Sequence, residues 1–207
     1  MIHTLYLIRH GESTANVGGP AVPDKQVGLT ERGLEQALSL TERLSHVHAS
    51  TIYTSELQRT QQTAAPLCEQ WELLPQVLPC LNELCNLEFA HIENVSVDER
   101  RRMAQAYWAL GDVHHQDGPT ADSFAMFAAR VDDFLGLADT LPNHSLLFTH
   151  GIWIGMLAWK LLGFEVKTGQ DMQQFRQFQT AMNMKNTVVY RLQIDSNTGL
   201  KQLSYHC

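Results

Sequence analysis

The sequence predicts an α/β protein: a three-layer α/β/α arrangement on a mostly parallel central sheet, with one antiparallel strand near the C-terminus. Three observations carry that reading. Leu5-Tyr6-Leu7-Ile8 and Ser145-Leu146-Leu147-Phe148-Thr149 are short runs without helical spacing, the pattern of strands buried on both faces. Stretches with helical spacing alternate with the strand-like runs, as in parallel strands joined by crossover helices. Residues 187–194 and about 200–205 are β-prone and separated by Asp195-Ser196-Asn197-Thr198-Gly199, so they should pair as a hairpin, one strand of it antiparallel to the sheet.

The first strand stops at Arg9-His10-Gly11. Ligands of open α/β sheets bind at that carboxyl end, and Gly11 is expected to let the backbone turn sharply there. Thr30 is the expected N-cap of a helix with Glu31 in its first turn and Leu34, Ala37, Leu38, Thr41 and Leu44 at roughly helical spacing. Thr51-Ile52-Tyr53-Thr54 reads as a strand. Ser55 with Gln58 fits a capping box, so a helix should follow directly and carry Arg59 on its first turns. Pro66, Pro75 and Pro79 punctuate the chain up to Leu81-Asn82-Glu83-Leu84. Residues 95–140 are helical in character, with a polar break from Gly111 to Pro119 and apolar spacing at Phe124, Phe127, Val131 and Phe134. The strand at 145–149 again stops at a histidine and a glycine, His150-Gly151, before a helix from Trp153 to Leu162 closed by Gly163. One domain over 1–207 is expected, with a mainly helical insertion around 85–140.

Composition narrows the function classes. A hydrophobic fraction of 44% and a charged fraction of 18% are those of a globular chain with a sizeable core. Fifteen basic against 22 acidic residues leave a net charge of −7, which argues against nucleic acid or an anionic membrane as partner. A few arginines in one cleft still make a local anion site, because salt confines the outer field to about 8 Å. The N-terminal apolar stretch carries Arg9 and His10 and is too short for a membrane span or signal peptide, so a cytosolic location is expected. Cys68, Cys80, Cys85 and Cys207 show no paired spacing for zinc or disulfides.

Parallel strands place Arg9, His10, Arg59, His150 and Gly151 on one edge. Two guanidiniums and a helix start favour phosphate oxygens. Two histidines beside them offer a nucleophile and a group that stabilises transferring charge. Glu83 is the candidate to protonate a leaving oxygen; burial would raise its pKa and the arginines would lower it. The residues therefore point to a small phosphorylated substrate, with no metal or other cofactor.

The same residues resemble the histidine phosphatase superfamily, the phosphoglycerate mutase-like fold, over nearly the whole chain. Arg9-His10-Gly11-Glu12 resembles its phosphate pocket, and the stretch from Ser55 through Arg59 to Thr63-Ala64 resembles its second motif. Gly28-Leu29-Thr30 with Gly33 resembles the motif before its first helix, with Gly28 where proline is more usual. The resemblance implies that His10 attacks phosphorus and becomes phosphohistidine. It implies that Arg9, Asn16, Arg59 and Gly151 bind the phosphoryl group, that a protonated His150 stabilises the transition state, and that Glu83 is the general acid, with Glu88 as the alternative. His10 would then need its other ring nitrogen donating to a carbonyl. Asn86 and Ile152 depart from the mutases, which place a tyrosine and an asparagine there. Leu87-Glu88-Phe89-Ala90-His91 replaces a glycine-rich or tryptophan-bearing segment. A phosphatase is therefore implied before a phosphoglycerate mutase or a non-catalytic phospholigand binder.

Other features read more plainly. Arg100-Arg101-Arg102 is expected to be a solvated helix face, with contact to a second phosphate as the alternative. His114, His115 and Asp117 lack the spacing of a metal-ligand set. His3, His46, His48, His144 and His206 are expected on the surface, and Trp153, Met156 and Trp159 in the core. The loop from Val17 to Val27 either borders the substrate or merely connects.

Overall fold

The computed structural model describes residues 1–182 and 184–207. The strands are β1 (Ile2–Arg9), β2 (Ile52–Thr54), β3 (Gln76–Val77), β4 (Ser145–Thr149), β5 (Val189–Asp195) and β6 (Lys201–Tyr205). They form one six-stranded sheet in the order β3-β2-β4-β1-β5-β6. The first four are parallel, whereas β5 is antiparallel to both β1 and β6. β5 is thus the one strand that opposes the others, as the C-terminal hairpin requires. Pairing from Leu5 with Ser145 to Arg9 with Thr149 brings the carboxyl ends of β1 and β4 level.

The helices are α1 (Glu31–Arg43), α2 (Gln58–Gln70), α3 (Phe89–Ile92), α4 (Val97–Leu110), α5 (Phe124–Leu137), α6 (Gly151–Leu161) and α7 (Gly169–Ala181). Successive residues of β1 serve opposite cores, because side chains alternate across a strand. Tyr6 and Ile8 pack with Leu40, Leu44, Ala64 and Leu67, which places α1 and α2 on one face. Leu5 and Leu7 belong to the cluster with Phe124, Phe134, Trp153 and Phe175, which places α5, α6 and α7 on the other. Trp153, Met156 and Trp159 are buried, as the apolar stripe of α6 predicts.

Several local expectations need correction. The buried face of α1 is Gly33, Ala37 and Leu40, continued by Leu44, whereas Leu34 and Leu38 are 50% and 62% exposed. The rotation follows from a backbone contact: a Cβ on Gly33 would lie 2.0 Å from the Glu12 carbonyl oxygen, so only glycine lets α1 approach so closely. Pro66 lies inside α2 rather than bounding it. No expectation covered α7, which begins with a capping box between Thr168 and Asp171. His3 and His206 are partly buried, not fully on the surface. Thr30 caps α1 as predicted: its hydroxyl accepts from Gly33 N at 3.0 Å and donates to Glu12 Oε1 at 2.9 Å. Thr30→Ala should therefore lower stability by about 1–2 kcal/mol, read as a reduced urea midpoint at unchanged m-value.

Candidate active site

His10 is the first residue past β1 and is 4% exposed. Its backbone N–H donates to Thr149 O at 3.0 Å, fixing the strand end against β4. Its Nδ1 lies 2.6 Å from Gly11 O. A carbonyl only accepts, so Nδ1 carries the hydrogen and Nε2 keeps its lone pair. Burial first, then Arg59 and Arg9, lower the pKa of His10 to about 3, so the ring is neutral. Gly11 does not take a left-handed φ, so the expected sharp turn is not why glycine stands there. A Cβ on Gly11 would fall 2.6 Å from Gly33 O, so its role is close approach to α1.

Arg9 donates from Nη1 to Met184 O, and its Nε is buried without a partner among the described residues. A Cβ on Gly151 would come 3.2 Å from that Nε, so the bare backbone at the start of α6 leaves room for the guanidinium. Arg59 is the second residue of α2 and its side chain is 7% exposed. Its NH1 donates to Asp24 Oδ1 at 2.8 Å and to Asp24 O at 3.2 Å. The Thr63 hydroxyl joins the two arginine-bearing segments, accepting from Gly11 N at 3.0 Å and donating to Arg59 O at 2.6 Å.

His150 caps α6 and is fully buried, its ring centroid 5.2 Å from that of His10. Nε2 lies 2.9 Å from Ser55 Oγ, while Nδ1 is buried without a partner among the described residues. Burial, then Arg59, His10 and Arg9, hold its pKa well below the ordinary value. Near neutral pH the His150 ring is therefore neutral. Ser55 does not form the expected capping box either: α2 begins at Gln58, with Leu57 as an N-cap that offers no side-chain bond. The Ser55 hydroxyl instead accepts from Leu57 N at 3.1 Å and meets Thr60 Oγ1 at 2.8 Å as well as His150. Because this hydroxyl orients His150, Ser55→Ala should lower kcat about tenfold with a smaller change in KM, measured by steady-state kinetics.

Glu83 is held by two backbone donors. Its Oε2 accepts from Ile152 N at 2.9 Å and its Oε1 from Leu84 N at 3.0 Å. Burial raises its pKa, against the lowering effect of those bonds and of Arg59. The segment around it is strapped down: Thr149 Oγ1 donates to Leu81 O at 2.9 Å and Arg130 NH1 to Glu83 O at 3.1 Å. Arg130 is itself paired with Asp122 at 2.6 Å. Glu88 is committed elsewhere, accepting from Thr120 N at 2.7 Å and from the Thr120 hydroxyl at 2.5 Å. Those bonds lower its pKa.

Arg9, His10, Asn16, Arg59, Glu83 and Gly151 line one cleft of about 240 Å³. Sequence reasoning missed Gln179 and Met184, which also line it. It also missed Asn186, whose Nδ2 donates to His10 O at 3.1 Å and to Asn16 Oδ1 at 3.2 Å. The antiparallel sense of β5 is the signal, since it brings the amino end of that strand to the carboxyl edge of β1. Arg101 and Arg102 make i,i+3 pairs with Asp98 and Glu99 on an exposed face, but Arg100 reaches Gly19 O at 2.6 Å. Asp117 bonds His91 Nδ1 at 2.9 Å, and among the described residues no group of three or more His, Cys, Asp or Glu is arranged to hold a metal ion. Nor is any helix among them long and apolar enough to cross a membrane.

The chain belongs to the histidine phosphatase superfamily (branch 1), whose model matches residues 5–204. Its relatives include phosphatases. An adenosylcobalamin/alpha-ribazole phosphatase of Escherichia coli (strain K12) is 30% identical over 164 residues, 77% of this chain and 79% of that one. A chain described as a probable phosphoglycerate mutase, from Yersinia pestis (strain Pestoides F), is 31% identical over 166 residues, covering 77% and 74%. The solved alpha-ribazole phosphatase from Shigella flexneri shares the fold at TM-score 0.74 and 24% identity, covering 98% of this chain and 95% of its own. A mycobacterial glucosyl-3-phosphoglycerate phosphatase shares it at TM-score 0.72 and 21% identity, covering 99% and 98%.

Proposed function

We propose that the protein hydrolyses a phosphomonoester without a metal, through a phosphohistidine on His10. The observation that carries this reading is the neutral His10 with Nδ1 on Gly11 O and Nε2 unprotonated, in a cleft shared with Arg9, Arg59 and Glu83. Nε2 attacks phosphorus in line with the ester bond, whose oxygen leaves with the Glu83 proton. Arg9, Arg59, Asn16 and the Gly151 backbone hold the phosphoryl oxygens as charge spreads over them. The unpartnered Nδ1 of His150 becomes a donor once a phosphate dianion favours its protonation. Glu83 then takes a proton from the water that attacks the phosphohistidine, returning His10 and releasing phosphate. Glu83 suits this role better than Glu88, because Glu83 lines the cleft and Glu88 is tied to Thr120.

The whole chain, with its helical segment around 85–140, acts in this reading as one catalytic domain working in the cytosol on a small phosphorylated substrate without a cofactor. The relative named as a mutase supports a second reading, phosphoryl transfer between hydroxyls of one molecule. Rapid quench with a ³²P-labelled phosphomonoester in chelator tests the first: acid-labile label on His10 and released phosphate are expected. Loss of turnover in chelator, or turnover without a labelled enzyme, sinks it. With 3-phosphoglycerate and a bisphosphate primer, an isomerised product in place of free phosphate supports the mutase. Phosphate binding with neither label nor product leaves only a binding module.

A further inference from the structure

Asp24 starts the single 3₁₀ turn (Asp24–Gln26) of the loop before α1. Among the described residues it is the one that lines all three clefts around the site: the 240 Å³ cleft with His10, a 400 Å³ chamber shared with Glu83, and a 180 Å³ cleft. The chamber adjoins the proton donor, so it receives the leaving group. We propose that Asp24 sets leaving-group specificity there, admitting uncharged polyhydroxylated groups and excluding those with an anion close to the ester. The inference rests on the phosphatase reading above.

Charge pairing sets Asp24 apart from the other groups that line the chamber. The two cations among the chamber's described residues are already matched, Lys25 with Glu56 at 2.9 Å and Arg130 with Asp122 at 2.6 Å. Two of its neutral polar groups are occupied too: Asn82 bonds Glu56 through both ends of its amide, and the Thr120 hydroxyl is spent on Glu88. Asp24 differs, because its cation is Arg59, one of the two arginines of the phosphate cleft. A phosphoryl group that takes Arg59 NH1 displaces the Asp24 carboxylate, which then faces the leaving group as an acceptor without its cation. Hydroxyls satisfy such a carboxylate; a second anion beside it is repelled. Arg100, whose Nε is buried without a partner, lines the third cleft, which neither His10 nor Glu83 lines. That cation serves only atoms further from the ester.

Glycerol 3-phosphate and 3-phosphoglycerate make a matched pair, since a hydroxymethyl in one replaces the carboxylate of the other. Each is measured as a competitive inhibitor of p-nitrophenyl phosphate hydrolysis by the full chain. The wild type should bind glycerol 3-phosphate at least about tenfold more tightly. Asp24→Asn should bring the ratio to within about threefold, chiefly by tightening 3-phosphoglycerate, and should also tighten inorganic phosphate, which no longer competes with a carboxylate for Arg59. Asp24→Ser should move the ratio the same way, whereas a purely structural loosening weakens both ligands and leaves it unchanged. A wild-type preference for 3-phosphoglycerate, or a ratio that neither variant moves, overturns the inference and leaves the phosphatase reading standing. Failure of the wild type to hydrolyse p-nitrophenyl phosphate at all overturns both.

Discussion

His10→Ala should lower kcat at least about 10⁴-fold, because the phosphohistidine route closes. Binding should suffer far less. Arg9 and Arg59 remain in the cleft, so the inhibition constant for inorganic phosphate should change only a few-fold. A variant that keeps a tenth of the wild-type kcat ends the case for His10 as nucleophile. The same substitution has a signature in stability. Folding lowers the His10 pKa from 6.5 to about 3, so between those values the unfolded chain binds the extra proton. Wild-type stability must therefore fall as pH drops from about 6.5 toward about 3, and this component levels off below that. Removing the imidazole removes the component. Urea midpoints of His10→Ala should consequently vary less with pH across that window.

The parts of the molecule legible in the sequence are those where one local signal has one physical use. β1 and β4 are apolar runs cut off by polar residues, and a strand buried on both faces leaves no other pattern. That both end at histidines next to glycines told where the cleft lies. The failures have causes of their own. α7 is rich in glutamine and buries only Met172 and Phe175, too thin a stripe to announce a helix. On α1 two apolar faces competed, and the choice went to the side that lets Gly33 meet Glu12, a contact between distant backbones that spacing cannot show. Ser55 has the pattern of a cap, but its hydroxyl is worth more against a buried histidine. Asp24, Asn186 and the backbone of Ile152 carry no motif; hydrogen bonds to Arg59, His10 and Glu83, each far off in sequence, tie them to the site.

Glu83→Gln should have the second largest effect, and its size should depend on the leaving group. For an alkyl phosphate, whose departing alkoxide needs a proton, kcat should fall about 10²–10⁴-fold. For p-nitrophenyl phosphate, whose phenolate leaves unaided, the first step should survive. Hydrolysis of the phosphohistidine still lacks its base, so one equivalent of p-nitrophenol should appear in a burst followed by slow turnover. The pH profile separates the two protonation demands. Burial raises the Glu83 pKa, so its acid form persists above the usual carboxyl range and activity toward alkyl phosphates declines as pH climbs through that raised value. The rising limb belongs to His10 and lies near pH 3, below which the imidazole is protonated and cannot attack. Glutamine at position 83 cannot titrate, so the part of the falling limb that Glu83 sets should disappear while the rising one stays. Glu88→Gln, which loosens the Thr120 contact outside the cleft, should lower the unfolding midpoint and keep both limbs. A falling limb that persists in Glu83→Gln and vanishes in Glu88→Gln would reverse the assignment of the acid.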